Sequence, residues 1–256
     1  RLWLDELIED VDQIVITGGS FDESVRVDFS GGDPIPASGL FFDGVGFGGT
    51  DTLTISGSVD SVIHRPANQF DGSIEVDGSV ISYVNIETLT DNSSAATRSI
   101  DFGTDADTIV IADNDTADDG LSSVTSTNLG LSVQVAGTGV TAISGSSGAD
   151  TFRVDSHDSQ FSGQLRINAG AGADVVDASA ASVSLSVNAC AGNDSVTTGS
   201  GNDRVNGGGG RDVIATGAGD DSAYGGGAAD QIDGGAGNDF INAQGGSKDR
   251  VTGGLG

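Results

Sequence analysis

The sequence predicts an all-β chain wound as a parallel β-solenoid, an irregular β-helix leading into a tighter roll. Three observations predict it. From residue 189 onward the chain repeats every nine residues. Ahead of that, apolar and polar residues alternate with the period of two expected of strands. Nowhere do strand-like runs alternate with helix-patterned ones, as an α/β fold requires.

Composition sets the frame. The 256 residues include 42 glycines, and 38 acidic residues face 10 basic ones, for a formal net charge of -28. So acidic a surface repels nucleic acid and anionic lipid, and nucleic acid is set aside as a partner. The hydrophobic share of 36% is too high for a disordered acidic tail. Cys190 is the one cysteine, so no disulfide forms within the chain. A lone thiol suits a reducing compartment, and equally an exported bacterial protein that uses metal in place of disulfides. No apolar run approaches the length of a membrane span. The sequence opens at Arg1 and breaks off inside a repeat, and so reads as a piece of something longer.

The repeats come first because they decide the architecture. They read ACAGNDSVT, TGSGNDRVN, GGGGRDVIA, TGAGDDSAY, GGGAADQID, GGAGNDFIN and, after one inserted residue, QGGSKDRVT. Asp194, Asp203, Asp212, Asp221, Asp230 and Asp239 recur at a spacing of nine, and Asp249 follows at ten. Two positions after each aspartate stands Val196, Val205, Ile214, Ala223, Ile232, Ile241 or Val251. Glycines permit tight, left-handed turns that aim carbonyl oxygens inward. The aspartate closes the turn, and a three-residue strand follows whose central side chain enters the core.

Two nonapeptides make one flattened coil. Asp194, Asp212, Asp230 and Asp249 are then expected in one column, and Asp203, Asp221 and Asp239 in the other. Neighbouring strands lie roughly 4.8 Å apart. Carboxylates stacked at that spacing repel one another unless a cation sits between them. Hard oxygen ligands without histidine or thiolate select calcium over zinc or copper.

On these residues, 189–256 resembles the RTX, or hemolysin-type, calcium-binding repeat family, whose consensus is G-G-x-G-x-D followed by x, an apolar residue and x. The resemblance implies a right-handed parallel β-roll holding several Ca2+ ions between successive turns. It places carboxylate ligands on the seven aspartates just named. It places carbonyl ligands on the turns containing Gly199, Gly201, Gly208, Gly210, Gly217, Gly219, Gly226, Gly235 and Gly237. Ala189 and Cys190 stand where glycines are expected, Ala228 replaces a fourth-position glycine, and Gly245-Gly246-Ser247-Lys248 is irregular. These departures put the sites at both ends in doubt.

Residues 1–188 carry a diluted form of the same rule. An aspartate precedes an apolar strand at Asp12, Asp51, Asp107, Asp150 and Asp174, usually after a glycine or small polar residue, as in GGTD, SSGAD and GAGAD. Further strand patterns run through SVRVDF, GSIEVDGSVISYV, LSVQVAG, GQLRINAG and SVSLSVNA. The division expected is a cap or linker over 1–19, an irregular β-helix over 20–188 and the β-roll over 189–256. Helical spacing is confined to LWLDELIEDV at 2–11. An adhesin-type β-sandwich over 20–188 is the rival fold. The stretches are similar to the spacer-plus-repeat segments of very large exported bacterial proteins.

Catalytic chemistry is sparse. The acidic cluster Asp113, Asp115, Asp118 and Asp119 fails EF-hand spacing, because Ala117 and Val124 occupy ligand positions. His64 and His157 read as surface or loop residues, and neither belongs to a nucleophile-elbow or His-Glu-x-x-His motif. The enzymatic rival is a carbohydrate-active β-helix, a lyase or epimerase, for which His64-Arg65 is the one adjacent base and cation. The expectation is therefore a non-enzymatic, calcium-binding structural or adhesive module of a secreted or cell-surface bacterial protein. A passive carrier that stays unfolded in a low-calcium cell is the third reading. Expected partners are a cell-surface or matrix glycan and further copies, stacked end to end as an oligomer or filament.

Overall fold

The computed structural model describes residues 11–254 apart from 46–48, 115, 117–118, 156, 158–159 and 247. The helical pattern at 2–11 falls almost wholly outside these residues. Within them every regular element is a strand, and all 22 strands belong to one sheet.

The widest part comes first. It contains β1 (Ile14–Thr17), β2 (Ser24–Asp28), β3 (Leu40–Asp43), β4 (Thr52–Pro66), β5 (Gly72–Val76), β6 (Ser79–Val84) and β7 (Thr88–Asp101). The sheet thus begins inside the span read as a cap or linker. β4 and β7, of 15 and 14 residues, run parallel from Thr52 opposite Thr88 to His64 opposite Ile100. β5 folds back antiparallel between β4 and β6. Next come β8 (Thr108–Asp113), β9 (Leu121–Ser126), β10 (Leu131–Ala136) and β11 (Val140–Ser144). β9 pairs antiparallel with both β8 and β10. The antiparallel strands are therefore excursions from an otherwise parallel winding.

The remaining strands are short: β12 (Thr151–Val154), β13 (Gln164–Asn168), β14 (Val175–Asp177), β15 (Leu185–Asn188), β16 (Ser195–Thr197) and β17 (Arg204–Gly209). They continue through β18 (Val213–Ala215), β19 (Ser222–Gly227), β20 (Gln231–Asp233), β21 (Phe240–Asn242) and β22 (Arg250–Thr252). They form two all-parallel ladders. One runs β8–β12–β14–β16–β18–β20–β22. The other runs β7–β11–β13–β15–β17–β19–β21. Parallel pairing throughout both ladders excludes the β-sandwich.

Register shows the coil tightening. Phe152 pairs with Val176, 24 residues on, and Val176 with Val196, 20 residues on. From Val196 to Ile214 and from Ile214 to Ile232 the step is 18, two nonapeptides. The core tightens with it. Phe42, Leu53, Ile55, Ile74, Ile81 and Ile100 are fully buried in the wide part, whereas Val196, Val205, Ile214, Ala223 and Ile232 fill the narrow one. In the last coil Ile241 is half-buried and Val251 is exposed.

Candidate metal centre

A nonapeptide must reverse direction and start its strand within nine residues, so each turn lies directly on the turn one coil earlier. Gly210 shows why the residue type matters. Its φ is +127°, and a Cβ there would run into the carbonyl oxygen of Gly192 in the coil before. Cys190, Ala228 and Lys248 occupy turn positions with φ of 75°, 80° and 70°. The departures from glycine seen in the sequence thus coincide with left-handed backbone. Cys190 adds a thiol bond to Oδ1 of Asn168 at 3.0 Å.

Stacked turns bring the aspartates into the two expected columns. The N–H of Asp194 donates to Oδ1 of Asp212 at 3.0 Å, Asp212 to Asp230 at 2.9 Å, and Asp230 to Asp249 at 3.0 Å. On the other edge Leu185 donates to Asp203 at 2.8 Å, Asp203 to Asp221 at 2.7 Å, and Asp221 to Asp239 at 3.1 Å. Each carboxylate is therefore held by the main chain of the preceding coil.

Only one oxygen of each carboxylate is used in this way. Oδ2 of Asp194, Asp203, Asp212, Asp221, Asp230 and Asp239 is buried without a hydrogen-bond partner. Oδ2 of Asp212 and of Asp230 faces the first-position glycine of its own repeat, Gly207 and Gly225. Thr198 and Thr216 stand beside Asp203 and Asp221. Their hydroxyls donate instead to the carbonyls of Thr216 and Gly234, at 3.0 and 2.9 Å.

An orphaned, buried anionic oxygen is costly. Burial, and secondarily repulsion from neighbouring aspartates, pushes Asp194 up to about 6. Burial likewise raises Asp203, Asp212 and Asp221.

A hard cation fits this donor set, since every orphaned atom of the columns is a carboxylate oxygen. Among the described residues no three acidic, histidine or cysteine side chains converge as a metal cluster. Each step of a column brings two carboxylates near one another. A six- to eight-coordinate ion would complete its shell from turn carbonyls, and Gly199, Gly201, Gly208, Gly217 and Gly219 each present one to the turn stacked on it.

Two groups were placed differently by the sequence. His64 was read as a surface or loop residue, yet it is wholly buried on β4. Its Nε2 lies 3.0 Å from Oδ2 of Asp91, which also receives Nε of Arg98 at 2.5 Å. Arg98 is itself buried and donates to the carbonyls of Ala136 and Ser93, both at 2.9 Å. Burial would raise Asp91, but the His64 hydrogen bond and the Arg98 charge outweigh it and hold the carboxyl well below its usual range. Arg65, the next residue, is turned outward to Glu75 at 2.9 Å. Period-two alternation sends His64 and Arg65 to opposite faces, so the pair does not form one site. His157 is a half-buried loop residue, edge-on to Phe161. In the acidic cluster, Asp119 caps its own turn through Leu121 at 2.8 Å. Asp115 and Asp118 lie outside the described residues.

The other addition is upstream. Asp107, Asp150 and Asp174 continue the first aspartate column, although none was assigned a ligand role from sequence. The aspartate-led strands had marked them, but coil steps of 43, 24 and 20 residues hid the register.

Comparison with protein families agrees with this geometry. The family model described as the RTX calcium-binding nonapeptide repeat matches four copies, at residues 191–214, 207–241 and 224–256. Residues 191–256 thus carry RTX calcium-binding repeats. A search of curated proteins finds no match. No helix among the described residues is long and apolar enough to cross a membrane.

Proposed function

We propose that this chain is a calcium-folded structural or adhesive module of a secreted or cell-surface protein, stiffened by ions bound along the two edges of its narrow part. The observation that carries the reading is the pair of aspartate columns, each with a row of buried Oδ2 atoms lacking a partner. Calcium supplies the positive charge those oxygens lack. The chain's own residues do the rest: main-chain N–H groups fix Oδ1 of each aspartate, and turn glycines bring carbonyls to the same edge.

Export supports the reading through calcium supply. A module that stays loose where calcium is scarce and stiffens where it is plentiful suits passage out of a cell. Binding to the folded state stabilises by mass action. The formal net charge of -28 also argues against an acidic polymer as a direct partner except through bridging ions.

The test is a calcium titration of the chelator-stripped chain, followed by circular dichroism and calorimetry. The expected result is a gain of β-structure with millimolar calcium. Asp221→Ala, inside the array, should weaken binding about tenfold or more and reduce its cooperativity. Asp113→Ala, at the last position of β8, should leave the curve in place. Equal effects of the two substitutions would count against the site assignment.

A further inference from the structure

The first column does not stop where the nonapeptides begin. The N–H of Asp174 donates to Oδ1 of Asp194 at 2.9 Å, Asp150 to Asp174 at 2.8 Å, and Asp107 to Asp150 at 2.7 Å. Asp150 and Asp174 are each 1% exposed, and Oδ2 of both is buried without a partner, as in the repeats.

The turns match as well. Parallel bridges run Ser147–Ala171–Ala191–Gly209 across the boundary without a break. A Cβ on Gly172 would meet the carbonyl oxygen of Gly148, and one on Gly192 that of Gly172, the same relation that joins Gly210 to Gly192. Oδ2 of Asp150 faces Gly145, five residues back, as Oδ2 of Asp212 faces Gly207. The additional residues of the wider coils leave this edge unchanged.

The second column behaves otherwise. Its first carboxylate is Asp203, held by Leu185, and the preceding strand of that ladder, β13, has no aspartate in the corresponding place.

Given calcium binding by the repeats, on which this inference rests, we propose that the first edge carries further sites for a hard divalent cation ahead of the nonapeptides. One lies at the Asp150–Asp174 step and one at the Asp174–Asp194 step. The opposite edge has no counterpart there. The calcium-loaded region then extends to residue 145, and asymmetrically.

The experiment counts ions on the whole chain, using Ca2+ alone as probe. Equilibrium dialysis is run on the wild type, Asp150→Asn and Asp174→Asn. Asparagine keeps the Oδ1 acceptor for the main-chain N–H and removes the anionic Oδ2. Asp150→Asn is expected to lose one ion and Asp174→Asn two, because Asp174 borders both steps. A second readout needs no variant. In the wild type, exchange of the Asp150 and Asp174 amides should slow on adding calcium together with that of Asp194 and Asp212. An unchanged ion count in both variants overturns the proposal. So does calcium protection that stops at Asp194. If the wild type binds no calcium at all, the broader reading fails first.

Discussion

The two ends of the solenoid are built on the same ladder but held by different forces. Between β3 and β11 the coils enclose large apolar side chains, and Phe42, Leu53, Ile55 and Tyr83 are at most 1% exposed. From β16 onward a nonapeptide contributes one modest apolar side chain, as small as Ala223. The narrow part has exchanged apolar volume for carboxylates, whose buried Oδ2 atoms have no hydrogen-bond partner among the described residues. Ordering a residue costs roughly 1–2 kcal/mol, which one Val or Ile in nine residues does not offset. On this balance a wide coil is expected to hold itself, and a narrow one to depend on bound ions.

The largest effect expected from that contrast is regional. In chelator, amides of β16 to β21 should exchange nearly as fast as an unfolded chain, while those of β4, β7 and β11 stay protected by orders of magnitude. Millimolar calcium should close the gap. Uniform exchange along the chain in chelator would show that the two parts share one source of stability.

The second prediction uses pH. Asp150 and Asp194 are pushed up to about 6, from an ordinary value of about 3.9. Between those values the folded chain keeps protons that the unfolded chain releases. Stability in chelator should therefore fall as pH rises through that window. In calcium the same carboxylates must be ionised to act as ligands, so binding should weaken as pH drops through about 6. Thermal melts should give a higher midpoint at pH 5 than at pH 7 in chelator, and the reverse order in calcium. Parallel slopes in the two media would mean that the columns do not hold the ions.

The smallest effect is a local repair. Ala228 sits at φ 80°, in a region that costs a non-glycine residue about 1–2 kcal/mol. Ala228→Gly should stabilise the calcium-loaded protein by about 1 kcal/mol, read as a rise of a few degrees in melting temperature. A loss of stability would show that the alanine methyl contributes packing that outweighs the strain.

How much of this could be read from the residues differs along the chain in the same way. The spacing of nine placed Asp194 to Asp249 in two columns because a fixed period leaves no choice of register. Ahead of the repeats the same chemistry was visible in SSGAD and GAGAD. Its alignment was not, because the step from Asp107 to Asp150 contains an excursion in which β9 runs antiparallel to both β8 and β10. His64 was misplaced for a related reason. Its partner Asp91, which it shares with Arg98, is 27 positions away, across a parallel pairing that local pattern does not reveal. One signal was available: His64 shares the inward phase of Val62 on a strand of alternating burial.

The aspartate columns also have a direction. In every link of both, the earlier coil donates the N–H and the later coil supplies the carboxylate. Each carboxylate is thus tied to the coil before it, and the best-packed coils stand at the N-terminal side. Order entering the narrow part from that side starts beside a well-packed neighbour, whereas order starting at Asp249 starts beside the half-buried Ile241 and the exposed Val251. Nearest-neighbour stacking of this kind lets order spread from any coil, and the apolar coils are the most stable place for it to start.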